Sequence, residues 1–225
     1  MKKIKVVSLV LNGSLDSNEI PQFRAAVAAL VDKNQTLFHH HLSDHYLLYR
    51  YPLIQFKTIN NQPAIVGLEQ GADEVLPLAE LKRKKLKIGK RNISWEVDSV
   101  RLKTFPVQIW NKSFPYRMNS WLALNQKNHK KFLQTASLRD RVEFLEKTLT
   151  AHILSFAAAV GWDVQKQVEL FINDIHAVRP LMFKGIGMMG FDITFTANVS
   201  LPDGIGLGKA PSLGFGVVRQ LRSTS

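Results

Sequence analysis

Four of the chain's seven histidines fall in one short stretch, as His39, His40, His41 and His45 of Phe-His-His-His-Leu-Ser-Asp-His. An imidazole with its ordinary pKa of about 6.5 is present in both neutral and protonated forms near neutrality. In an extended segment His39 and His41 project to one side and His40 to the other. Two imidazoles on one side suit the cutting of RNA through its own 2′-OH. The neutral ring takes the 2′ proton and the protonated ring donates to the departing 5′ oxygen. The nucleophile then belongs to the substrate, so neither a metal nor a cofactor is expected. The residues alone leave other chemistry open. His-x-His is also metal-ligand spacing, which Asp44 or His45 would complete. Histidines in a surface loop can be solvated and idle, or can touch phosphate or a base without chemistry.

A second motif lies near the C-terminus, where Gly204 precedes Gly206-Leu-Gly208-Lys209-Ala-Pro-Ser-Leu-Gly214-Phe-Gly216. Glycine is required where the backbone takes positive φ or lies against another group with no room for a Cβ. Exposed N–H groups on such a loop can cradle phosphate, and Lys209 adds a charge beside them. A P-loop does not fit, because Asp203 and Ala210 stand where that pattern needs glycine and a hydroxyl. A dinucleotide fingerprint follows the first strand and opens a helix, whereas this loop precedes a late strand.

The surroundings are basic. The net charge is +12 and the pI about 10.0, which favours a polyanionic partner. Lys82, Arg83, Lys84, Lys85, Lys87, Lys90 and Arg91 crowd ten positions, a density that points to phosphate contact. There are no cysteines, which excludes a disulfide framework and thiolate metal sites and suits a reducing cytoplasm. No run nears the roughly 18 apolar residues of a membrane span, so no membrane partner is expected. Hydrophobic residues make up 45% of the 225, enough to pack a core.

The elements that must position these groups can be read from periodicity. Residues 4–11 read as a strand. Pro21 opens a helix with Phe23, Val27, Leu30 and Val31 on one face. Residues 49–57 and 63–68 read as strands joined by an Asn60-Asn61 turn. A short helix near 73–81 leads into the basic run, and 93–106 holds one or two strands. The pattern restarts around 110–115, with a strand at 116–124. Residues 138–160 form the longest helix, striped by Leu138, Val142, Leu145, Leu149, Ile153, Phe156 and Val160, with Gly161 as its cap. Strands follow at 168–175, 191–199 and 215–218. Element order thus predicts an α+β chain of two tandem ferredoxin-like (βαββαβ) domains, 1–112 and 113–225, the glycine-rich loop replacing the last helix.

Gly-x-Gly, five residues and Gly-x-Gly again resembles the signature loop of the RAMP superfamily of CRISPR proteins. Two further segments resemble one branch of its repeat-cleaving endoribonucleases. One is His39-His40-His41 followed by Tyr49-Arg-Tyr-Pro-Leu-Ile-Gln-Phe-Lys57; the other is Trp121-Leu-Ala-Leu-Asn125 with Lys127-Asn128. The resemblance implies RAMP-type ferredoxin-like folds, a basic RNA-binding surface, and metal-independent cleavage of CRISPR repeat RNA that leaves a 2′,3′-cyclic phosphate. It favours catalysis for His39 and His41, which stand as a His-x-His pair ahead of the Tyr-x-Tyr-Pro strand. Tyr49 matches the first tyrosine of that motif and would orient the scissile phosphate or else pack in the core, while Lys33 is the nearest lysine able to stabilise developing charge. The glycines, Lys209 and the basic run would hold the precursor crRNA. A catalytically silent repeat-binding subunit is the rival within the superfamily, and effector-complex subunits and a second copy of the chain stay open as partners. Of the remaining histidines, His129 sits in a basic stretch suited to RNA, and His152 flanks the helix stripe and reads as structural. Trp121 reads as core.

Overall fold

The computed structural model describes residues 1–31, 36–39, 51–81 and 84–221, and contacts divide them into two units. The first comprises Lys3–Phe105 together with Ser212–Gly214; the second holds Met1–Lys2, Pro106–Pro211 and the residues from Phe215 on. The sequence placed a division at 112/113. In the structure that point falls inside a continuous strand, Ile109–Trp121, and the contacts change over at 105/106.

In the first unit β1 (Lys2–Leu11) buries Val7, Leu9 and Leu11 completely. It pairs antiparallel with β3 (Gln62–Leu68), which pairs antiparallel with β2 (Ile54–Ile59). The β2–β3 turn has Asn60 and Asn61 at φ 51° and 61°, both central residues left-handed as a tight hairpin needs. Of the strand read over 49–57, the described part runs from Ile54, after Pro52, which offers no ladder donor. Helix α1 (Ile20–Ala28) lays Phe23 and Val27 on the sheet, Phe23 meeting Phe56 edge-on at 5.5 Å. After α2 (Thr36–His39) and α3 (Gln70–Val75), a ribbon of β4 (Lys85–Ile88) and β5 (Arg91–Ser94) precedes β6 (Val97–Val107). The sheet order is β2-β3-β1-β6. Counted within the unit this is 2-3-1-4, the order a βαββαβ chain produces.

The second unit repeats it. Strands β7 (Ile109–Trp121), β8 (Leu170–Phe183), β9 (Ile186–Val199) and β10 (Val217–Gln220) lie in the order β10-β7-β9-β8, again 4-1-3-2. The tandem ferredoxin-like architecture is therefore present. Helix α5 (Leu138–Ala159) starts at Ser137, whose hydroxyl accepts from the Asp140 N–H at 3.0 Å, a cap worth about 1 kcal/mol. It ends before Gly161, at φ +67°. Its stripe buries Leu145, Leu149, Ile153 and Phe156 fully, but Leu138 stays 75% exposed, so packing begins two turns in.

Helix α4 and the inner ends of β8 and β9 escaped periodicity. Helix α4 (Gln126–Gln134) has Phe132 as its one buried side chain, too little to print a stripe. Strands β8 and β9 run on through 176–190, where Pro180, Gly187 and Gly190 hide the alternation. Pro180 is tolerated because β8 is an edge strand.

Candidate functional site

The histidine segment is the natural centre of a site, and its two ends can be located. Phe38, 2% exposed, packs its ring 6.4 Å from Phe56 of β2, which fixes the helical turn ending at His39. Residue 39 is therefore helical, and the alternation argued for an extended segment does not begin there. His40, His41, Asp44, His45, Tyr49 and Lys33 lie outside the described residues. At the other end Tyr51 is buried and its hydroxyl accepts from the Gln55 amide at 2.8 Å. Burial pushes the Tyr51 phenol far above its ordinary value, so the ring stays protonated. The Gln55 carbonyl oxygen in turn accepts from Lys57 Nζ at 2.9 Å. Both anchors thus hold to β2.

Lys57 is the feature that sequence reading missed. It is 1% exposed and Gln55 0%, on the sheet face opposite Phe56. A buried lysine is rare and needs close hydrogen-bonded partners, since desolvating an ammonium costs several kcal/mol. The signal available was the Gln55-Phe56-Lys57 alternation, which puts polar ends inward on one face.

The basic run divides into parts with different work. Lys84, Lys85, Lys87 and Lys90 are exposed, and within β4 Leu86 and Ile88 face inward between the lysines. The charges therefore form the outer face of a ribbon whose inner face packs on the core. Lys82 and Arg83 are outside the described residues. Arg91 does something else: its Nε donates to Glu19 at 3.0 Å and Nη2 to the Ser14 carbonyl at 2.8 Å. The guanidinium holds the Glu19 carboxyl below its ordinary pKa. Assigned to RNA by sequence, Arg91 is structurally a clamp on the start of α1. The basic stretch around His129 lies on α4, where Lys127, Lys130 and Lys131 are exposed and His129 is half-buried.

The glycine-rich loop is held by its own backbone. The N–H groups of Gly204, Leu207, Lys209 and Gly216 donate to Val218, Gly216, Leu122 and Ser120 respectively. A phosphate cradle from those four N–H groups, as the sequence suggested, is excluded because each is already used. The glycines instead permit close approach. A Cβ on Gly216 would overlap the Leu207 carbonyl, and one on Gly206 would lie 2.8 Å from the Phe215 oxygen. Gly208, at φ +94°, faces the Trp121 indole, where a Cβ would come within 2.7 Å. Trp121 is fully buried and donates its Nε1–H to His152 Nδ1 at 3.3 Å. Burial pulls the His152 pKa down to about 4, so this ring is neutral at pH 7 and accepts. His152 and Trp121 are thus the structural residues expected, with Trp121 lying under the loop at Gly208 and His152 bracing Trp121. Gly214 belongs to the first unit, where it lies against Ile20 and the Phe56 carbonyl.

No helix among the described residues is long and apolar enough to cross a membrane. Family models for the Cas6b N-terminal domain and the Cas6b C-terminal domain match residues 2–106 and 108–221. A crystal structure of Cas6b superposes with a TM-score of 0.87 at 26% identity, covering 98% of this chain and all of that one. A second, of the CRISPR RNA processing endoribonuclease Cas6b, gives 0.75 at 24% identity with the same coverage. An uncharacterized protein of Methanocaldococcus jannaschii is 29% identical over 101 residues, 45% of this chain and 67% of its own length.

Proposed function

The chain belongs to the Cas6b family, and on that premise we propose that it binds CRISPR repeat RNA and cleaves it once per repeat without a metal ion. The observation that carries this reading is the match of both domain families end to end, joined to an endoribonuclease of the same fold. The anchoring of the histidine segment at Phe38 and Tyr51 supports it, since acid–base groups need a scaffold that fixes where they emerge.

In the proposed reaction the ribose 2′ oxygen attacks the adjacent phosphorus. One of His39 and His41, as neutral imidazole, takes the 2′ proton. The other, as imidazolium, gives its proton to the departing 5′ oxygen. The P–O5′ bond breaks as the P–O2′ bond forms, leaving a 2′,3′-cyclic phosphate upstream and a free 5′-OH downstream. Tyr49 positions the scissile phosphate, and Lys33 offsets the charge that builds on its oxygens. Lys84, Lys85, Lys87 and Lys90 with the outer face of α4 attract the RNA backbone, and Lys209 adds a charge at the glycine-rich loop.

The test is single-turnover cleavage of repeat RNA in EDTA. His39→Ala and His41→Ala should each slow it by a factor of about 10²–10⁴ while leaving affinity intact. Activity lost in EDTA and regained with zinc or manganese would replace the mechanism with a metal site. Binding without any cleavage by the parent chain would make it a silent repeat binder.

A further inference from the structure

The hairpin joining β8 to β9 meets the glycine-rich loop in the second unit, at a group of side chains that acid–base cleavage does not use. Lys184 and Gly185 form the turn, at φ 50° and 76°, and Phe183 pairs with Ile186 to close it. Phe183 is half-buried, with its ring 6.0 Å from that of half-buried Phe215 at 89°. Lys184 Nζ lies 5.7 Å and Lys209 Nζ 5.5 Å from the Phe183 ring centroid. Beside them Met182 and Ile186 are 67% and 66% exposed.

One aspect of this arrangement costs free energy in the protein alone, since a hairpin tip is ordinarily polar, yet this one presents Met182, Phe183 and Ile186 together. A second is its charge: two ammonium groups lie about one ring, near the outer limit of about 6 Å at which a ring attracts a cation. Both features suit a single kind of ligand, one carrying flat apolar faces strung on closely spaced negative charges. We propose that Phe183 and Phe215, flanked by Lys184 and Lys209, form a stacking platform for unpaired bases of single-stranded RNA. Bases would stack on the rings while the lysines engage the flanking phosphates. Such a platform is tolerant of sequence, because every base has a π face. It would hold unpaired nucleotides of the repeat beside the glycine-rich loop. This rests on the RNA-processing reading above.

The platform can be tested with the full chain and two fluorescein-labelled probes, a 12-nucleotide oligouridylate and the same backbone made of abasic ribose. Phe183→Leu keeps apolar bulk and removes the planar face. It should weaken oligouridylate binding by between about five-fold and a hundred-fold and leave abasic binding within about two-fold. Lys184→Ser should weaken both probes alike, which distinguishes charge from stacking. Equal effects of Phe183→Leu on the two probes, or none on either, would overturn the platform while the RNA reading stands. Failure of the parent to bind either probe at low salt would instead overturn the RNA reading and the platform with it. A membrane surface is the competing occupant of an apolar, basic tip. Loss of binding to anionic phosphatidylglycerol vesicles in Phe183→Leu, with oligouridylate binding unchanged, would assign the tip to lipid and refute the platform.

Discussion

His152 should make the second unit sensitive to acid in a way that one substitution removes. Its ring is half-buried against Trp121 with Nδ1 accepting the indole proton, and its pKa falls to about 4. In the unfolded chain a histidine titrates near 6.5. Between those values the unfolded state binds a proton that the folded state refuses, so stability is complete above pH 6.5 and declines as pH falls towards 4. The fall from near 6.5 to about 4 amounts to about 3 kcal/mol below pH 4 and about 2 kcal/mol at pH 5. His152→Gln keeps an acceptor for the Trp121 N–H but has no proton to gain. Urea unfolding followed by tryptophan fluorescence, from pH 7 to pH 4.5, should show the parent losing stability faster than the variant. Glu19, whose depressed pKa also withdraws stability as pH falls, contributes equally to both proteins and cancels in the difference. Identical pH slopes in parent and variant would refute the reasoning and place a titrating, solvated imidazole at 152.

Two further outcomes follow from the lysines and the loop. Replacing Lys84, Lys85 and Lys87 by alanine should flatten the dependence of log affinity for RNA on log salt by roughly one unit for each phosphate contact removed. An unchanged slope in equilibrium binding would turn this ribbon face away from RNA. Gly216→Ala should destabilise the second unit by several kcal/mol, because the new Cβ overlaps the Leu207 carbonyl at a left-handed φ of 62°. A variant melting with the parent would mean the loop adapts and its glycines are not needed for packing.

The tandem fold was legible because its longest signals are local. The β1 strand, the α5 stripe with its Gly161 cap and the Asn60-Asn61 turn each declare themselves within a few residues. What stayed hidden depends on partners distant in sequence. Arg91 reads as one more charge in a basic run until Glu19, 72 residues away, takes its guanidinium. The glycines read as a phosphate loop, and only the opposing Leu207, Phe215 and Trp121 reveal that three of them make room for protein atoms. Lys57 looked like the end of a strand, and its burial became visible only once β2 had a covered second face. The histidine segment was found by composition, and the structure adds the two anchors on either side of it, Phe38 and Tyr51.

The central claim is that the RNA supplies its own nucleophile to a pair of histidines. A repeat RNA with a single 2′-deoxy ribose immediately upstream of the cut tests it directly. Binding should survive, since one lost hydroxyl contact is worth about 0.5–1.5 kcal/mol. Cleavage in EDTA should stop, and the unmodified control should yield an upstream product ending in a 2′,3′-cyclic phosphate. Cutting of the deoxy substrate at the normal position would contradict the mechanism, whatever role the histidines then have.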